Sequence, residues 1–155
     1  MRLLLPNVLT DEMVESLLTT HTREHIHRND AWDTGVMPDL CQIVTEHIPA
    51  KVGGNAYFRV ETRSAGHTKH YDGCKLDKTP NHMPWCKWSA VSLLTPPSSF
   101  SGGEFSFFDP EEVYREELHR SLLLYSSGAD NDPQLHQAAR HWDGRRTMLL
   151  MFFEG

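Results

Sequence analysis

Apolar positions along the chain change their spacing once. Behind Thr10, with Asp11 and Glu12 as first-turn acids, Val14, Leu17 and Leu18 recur at helical spacing and predict a helix over 10–26. A second helix follows Pro38, where Leu40, Ile43, Val44 and Ile48 share one face before Pro49 and the Gly53-Gly54 pair end it. From Asn55 onward the helical period is gone. The apolar residues come instead in short runs, AYFRVET, KWSAVSLL, EFSFF, SLLLYSS and RTMLLMFF, divided by Gly, Pro, Ser and Asp clusters that read as turns. Between two of these runs, DPEEVYREELHR at 109–120 reads as a solvated connection or short helix. The pattern predicts a mainly β fold with N-terminal helices: a helical part over about 1–52 and a β core over about 55–155, in one domain spanning 1–155. Short strands with regular turns suit a sandwich or jelly roll, whose mouth can hold a ligand.

Composition narrows the function classes. A chain of 155 residues, 39% of them hydrophobic, can bury one sizeable core. Its formal charge of −6 provides no broad basic surface, so nucleic acid is not an expected partner. Three cysteines, Cys41, Cys74 and Cys86, form neither a disulfide framework nor a CxxC zinc site, which points to a reducing compartment. The opening MRLLLPNVLT is broken by Pro6 and Asn7, and no later run approaches membrane-spanning length; a soluble, cytoplasmic protein with no membrane partner is expected.

The chemistry concentrates in GHTKHYDG, residues 66–73. On a strand, positions i and i+2 share a face, so His70 and Asp72 would project an imidazole and a carboxylate together, as adjacent metal ligands must. The triplet alone is weak evidence. Ten histidines and ten aspartates yield a His-any-Asp by chance about 0.6 times, and a second one, HWD, stands at His141–Asp143. That second triplet has no histidine after it, and Asp143-Gly144 suits a hairpin turn, so HWD is assigned to a turn. Two histidines and a carboxylate make the facial triad of non-haem Fe(II) oxygenases. For the third ligand, His82 lies in a Pro-flanked loop and His119 in the charged connection, whereas His136 stands between a turn and the last strand and is the best candidate. Arg146 then opens the final apolar run, where a guanidinium is costly to bury unless its planar fork meets a carboxylate; its neighbour Arg145 reads as a surface turn residue.

Taken together, GHTKHYDG, SAVSLLTPPSSFSGGEFSFF, LLLYSS, LHQ and DGRRTMLLMFF resemble the 2-oxoglutarate- and Fe(II)-dependent oxygenases, in particular the small prolyl 4-hydroxylase-like branch, from about residue 55 to the C-terminus. The family pattern is His-any-Asp, a long gap, a distal His and an Arg or Lys about ten residues later. Its positions fall on His70, Asp72, His136 and Arg146. The resemblance implies a double-stranded β-helix, a form of jelly roll, buttressed by N-terminal helices. It also implies Fe(II) held by His70, Asp72 and His136, and 2-oxoglutarate bound through Arg146. O2 is then the oxidant, ascorbate a candidate reductant, and the outcome hydroxylation of a substrate C–H bond with release of succinate and CO2. Gly102 and Gly103 match the family's Gly-Gly-Glu turn, which needs unusual backbone angles.

A prolyl residue in a peptide or protein is the substrate this branch implies. An oxygenase acting on a free amino acid or other small molecule is the alternative, and a cupin-like metal-binding or interaction module without turnover is the reading from outside enzymology. A nucleic-acid demethylase of the same superfamily would carry a second arginine six residues after the first, where this chain has Phe152. Thr62, Ser92 and Tyr125 are further candidates to hold the cosubstrate. The loop KLDKTPNHMPWCKW, with Trp85 and Trp88, is the expected approach for substrate, although Trp88 suits the core equally well. The cysteines are given no role.

Overall fold

The computed structural model describes residues 1–21 and 32–155. Along the chain it runs β1 (Arg2–Leu5), α1 (Asp11–His21), α2 (Met37–His47), β2 (Tyr57–Glu61), β3 (His67–His70) and β4 (Trp88–Leu93). There follow β5 (Ser101–Gly102), β6 (Phe105–Phe107), β7 (Glu112–Tyr114), β8 (Leu122–Ser126), β9 (His136–Ala138), β10 (His141–Trp142) and β11 (Met148–Phe153). Strands pair antiparallel into a five-stranded sheet, β1-β8-β4-β11-β2, a four-stranded sheet, β3-β9-β6-β7, and a small β10-β5 ladder. The result is a β-sandwich with two helices against one face. No described helix is long and apolar enough to cross a membrane.

The helices form where the pattern places them. Thr10 caps α1, its Oγ1 accepting the Met13 N–H at 3.1 Å, and Leu17 is fully buried. Residues 22–26 of the predicted helix lie outside the described residues. In α2, Pro38 stands in the first turn, and Met37, Leu40, Cys41 and Val44 bury one face. That face packs on Phe58 and Val60 of β2, Ala90 of β4, Leu122 and Leu124 of β8, and Leu149, Met151 and Phe153 of β11. Strand alternation sends the intervening side chains, including Val91, Leu93, Leu123, Tyr125 and Met148, to the inner face. There they meet Phe105 and Phe107 from the small sheet. Because the central strands β4, β8 and β11 are covered on both sides, they read as continuous apolar runs.

Two elements differ from the sequence expectation. MRLLLPNVLT, legible only as a truncated apolar run, forms β1 along the edge of the large sheet, with Leu3 and Leu5 against the helical core and Leu4 against the inner one. DPEEVYREELHR is not a plain connection: Glu112–Tyr114 pairs with β6 as β7, and Glu116–Leu118 makes a single 3-10 turn. Its charges mask two anchors, Tyr114 edge-on to Phe107 and the buried Leu118.

Arg2 ties these two segments together. Its Nε donates to Gln134 Oε1 (2.6 Å), Nη1 to Glu112 Oε1 (2.6 Å) and to the Pro110 carbonyl (2.7 Å), and Nη2 to the Phe108 carbonyl (2.9 Å). The guanidinium also lies 4.4 Å from the centroid of the Phe107 ring. Arg2→Ala is expected to lower unfolding stability by about 2–4 kcal/mol in chemical denaturation. A loss within measurement error would mean that β7 is held by its ladder alone.

Candidate active site

His70 and His136 are brought together by register. His70, the last residue of β3, stands directly opposite His136, the first of β9, and their ring centroids are 4.4 Å apart. Each imidazole is oriented by its Nδ1, which faces a backbone carbonyl two residues earlier: Thr68 O at 2.6 Å for His70 and Gln134 O at 2.8 Å for His136. With Nδ1 as the donor there, both Nε2 atoms are left as bases facing inward. Phe105 stacks on the His136 ring at 5.2 Å and fixes its plane.

Asp72 lies just past the end of β3, yet the i/i+2 placement holds. Gly73 lets the chain dive between the sheets: its N–H donates to the Ser127 carbonyl at 3.0 Å, and a Cβ there would lie 2.2 Å from the Cys86 carbonyl oxygen. The Asp72 side chain is thereby almost wholly buried. Its Oδ2 accepts hydrogen bonds from Ser89 Oγ and Tyr125 Oη, both at 2.7 Å. Its Oδ1 turns to His70 Nε2 at 3.2 Å and His136 Nε2 at 3.3 Å. These three ligand atoms lie within 4.8 Å of one another, a set that could hold a metal ion. Two imidazole nitrogens and one carboxylate oxygen match the donor types of a facial triad.

The electrostatics agree with the geometry. Burial works against ionisation of Asp72, but His136 and His70 beside it hold its carboxyl well below the usual carboxylate range. Burial likewise disfavours a charged His70, and Asp72 outweighs it, raising the imidazole's pKa. Burial and the adjacent Asp72 charge push the Tyr125 phenol well above its ordinary value, so it stays a neutral donor to the carboxylate.

The three ligand candidates sit in a cleft between the sheets, floored by Met148, Leu150 and Phe152 of β11 and reaching Arg146. Arg146 is buried while Arg145 is exposed, as the sequence predicts. Its Nη1 donates to the carbonyls of Gly103 (2.9 Å) and Ala139 (3.2 Å), whereas its Nε, sealed from water, has no hydrogen-bond partner. Burial pulls the guanidinium's pKa down, and Glu61 and Glu104 work in the opposite sense. Gly103, at φ +75°, permits this approach, since a Cβ would come within 3.1 Å of Arg146 Cδ. A buried cation with an unpartnered donor beside a cleft is suited to an arriving carboxylate.

The remaining candidates separate cleanly. His82 and His119 lie outside the cleft lining. HWD is not a hairpin turn: His141 and Trp142 form β10 and pair with β5, and the turn is confined to Asp143 and Gly144, both at positive φ. Tyr125 lines the cleft, but Thr62 bonds Thr147 (2.5 Å), and Ser92 shares the helix-facing parity of Ala90. Trp85 packs on Tyr57 near the cleft floor, with ring centroids 5.9 Å apart, whereas Trp88 packs against the helical core. Burial pushes the thiols of Cys41 and Cys86 up to about 12, Asp33 adding to it for Cys41 and Asp72 for Cys86; both stay protonated and unreactive. Ser89 was not singled out from sequence, and the strand WSAVSL does not distinguish it from Ser92, which is equally buried but has no hydrogen-bond partner.

The fold resembles several solved structures, among them two prolyl hydroxylases and a protein with iron bound. The viral collagen prolyl hydroxylase of Paramecium bursaria Chlorella virus-1, solved with 2-oxoglutarate, superimposes with a TM-score of 0.68 at 12% identity, covering 99% of this chain and 95% of that one. A Pseudomonas putida prolyl-4-hydroxylase gives 0.63 at 15% identity over 99% and 87% of the two chains. HygX from Streptomyces hygroscopicus, with iron bound, gives 0.59 at 14% over 99% and 81%. No protein-family model and no curated protein matches the sequence. The resemblance read from the motifs to the 2-oxoglutarate- and Fe(II)-dependent oxygenases thus extends to the fold.

Tyr125→Phe and Ser89→Ala each remove one of the two donors on Asp72 Oδ2. Each is expected to weaken divalent-metal binding about 10- to 100-fold, measured by titration of the metal-free chain. Unchanged affinity in both variants would mean that the carboxylate needs no outer support.

Proposed function

We propose that residues 1–155 form a single non-haem Fe(II)- and 2-oxoglutarate-dependent dioxygenase domain, its sandwich a jelly roll of the double-stranded β-helix type, which hydroxylates a prolyl residue in a peptide or protein. The observation that carries this reading is the join of two features in one cleft: three ligand atoms within 4.8 Å and, further along, a buried arginine with an unpartnered Nε. His70 and His136 would supply Nε2 and Asp72 its Oδ1 to Fe(II), while Arg146 would take the distal carboxylate of 2-oxoglutarate. When bound, the iron and its cosubstrate supply the oxidising chemistry, with O2 consumed and succinate and CO2 released.

The chain's own residues orient and shield. The carbonyls of Thr68 and Gln134 fix the two imidazole tautomers, and Ser89 and Tyr125 hold Asp72 so that one oxygen faces the metal position. Arg146 aligns the cosubstrate along the cleft, and Phe105, Met148, Leu150 and Phe152 keep bulk water from the reacting end. No acid or base is required near the substrate carbon. The prolyl assignment rests on the sequence resemblance and on the prolyl hydroxylases among the structural neighbours.

Anaerobic addition of Fe(II) and 2-oxoglutarate to the wild-type chain is expected to produce the visible charge-transfer band of an iron-chelated keto acid, and His136→Ala to abolish it. Arg146→Ala is expected to keep iron while weakening 2-oxoglutarate by about 30-fold or more. Iron bound without a band would favour the cupin-like alternative. Full iron stoichiometry in His70→Ala, Asp72→Ala and His136→Ala would refute the triad.

A further inference from the structure

Partly buried arginines elsewhere in this chain have acceptors on their Nε. Arg2 gives its Nε–H to Gln134 Oε1 at 2.6 Å, Arg115 to the Gly102 carbonyl at 2.8 Å, and Arg120 to the Leu9 carbonyl at 3.0 Å. Among the described residues, two arginines have a water-sealed Nε with no hydrogen-bond partner, Arg146 and Arg59, and both line the same cleft. For Arg146 the missing acceptor is the cosubstrate's carboxylate under the function proposed above. Arg59 has no such assignment.

Arg59 projects from β2 beside Leu150 of β11. Its guanidinium carbon is 5.6 Å from the Phe152 ring centroid. Its Nε stands 3.9 Å from Glu61 Oε2, beyond hydrogen-bond reach, and that oxygen lies 3.0 Å from His67 Nε2. Leu150 lies four residues beyond Arg146, which precedes β11, so in extended chain the two arginines start from points roughly 13 Å apart, which favours separate acceptors.

The charges in the cleft lead to the same place. Its lining carries Arg59, Arg63 and Arg146 against Glu61 and Asp72. With Asp72 committed to the metal and Arg146 to the cosubstrate, Arg59 and Arg63 face Glu61 alone. Among the lining side chains one positive charge is left over, with Glu104, outside the lining, acting on Arg146. The outer groove runs on past Arg63, His67 and His70.

We propose that Arg59 binds a carboxylate of the primary substrate, which makes that substrate an acid with its carboxylate close to the C–H bond attacked. The carboxylate belongs either to a free amino acid or to an acidic side chain beside a prolyl residue. The inference rests on the oxygenase reading and deepens it. A planar fork of donors in a half-buried site reads a carboxylate far better than an amide, because the neutral ligand leaves the cation unpaired.

The test uses the full chain loaded with Zn(II) and 2-oxoglutarate, a redox-inert state, and follows the Nε–H resonance of Arg59 by NMR, identified by its disappearance in Arg59→Gln. Three acid and neutral pairs are titrated: acetate and acetamide, L-proline and L-prolinamide, and acetyl-Asp-Pro-amide and acetyl-Asn-Pro-amide. The expected result is a saturable shift with acids, with their neutral partners at least about tenfold weaker. The pair with the largest ratio identifies the source of the carboxylate. The proposal is overturned if no acid, acetate included, moves the resonance, if acids and neutral partners act alike, or if 2-oxoglutarate alone produces the shift. Failure of the oxygenase reading is seen separately, as absence of the keto-acid band in the Fe(II)-loaded wild type.

Discussion

A carboxylate buried between two sheets is the constraint around which this protein is arranged. Asp72 is almost wholly buried, and among the described residues four side chains converge on its two oxygens. Two of them, Ser89 and Tyr125, come from the large sheet, and the other two, His70 and His136, from the small one. The carboxylate is therefore a clamp across the sandwich as well as a ligand. Its demand for partners fixes the spacing of the sheets at this end, and a one-residue slip in either would leave the charge unpaired.

The helices contribute to the site without touching it. By covering the outer face of β2, β4, β8 and β11, they allow every second residue of those strands to be committed inward. Ser89 and Tyr125 can then be polar on one side because Ala90 and Leu124 are packed on the other. The cleft is thus backed by a packed platform, with Arg59 on β2 and Arg146 two residues ahead of β11.

Legibility followed the strength of local physics. The helix starts at Thr10 and Pro38, the five apolar runs and the Gly102-Gly103 turn were readable because capping, periodicity and positive φ are local demands. The strand β1 was not, because RLLL carries too few residues to show a period and gains its stability from pairing with β8, more than a hundred residues away. β7 was hidden for the converse reason: it lies in a strongly charged stretch, and one tyrosine does the packing. Of the candidate site, His70, Asp72, His136 and Arg146 were singled out from the sequence, and the structure brings all four to one cleft. Ser89 and Arg59 were not, since what marks them is an absent or obligatory partner that only three-dimensional neighbours reveal.

The two His-any-Asp triplets show what a metal-ligand motif consists of physically. HYD and HWD present the same residue types at the same spacing. HYD ends a strand whose cross-strand neighbour is itself a histidine, and the glycine after it turns the aspartate inward beneath two hydroxyls. HWD pairs with Gly102 and Ser101, which offer no ligand, and its aspartate enters an exposed turn at φ +51°. His141 is buried all the same, against Phe100, so burial of a histidine does not distinguish the two. What does is the opposing strand: the third ligand has to be a register partner of the first, and the carboxylate has to have protein donors for its charge before any metal arrives. A search for such sites gains more from asking which strand lies opposite than from the triplet itself.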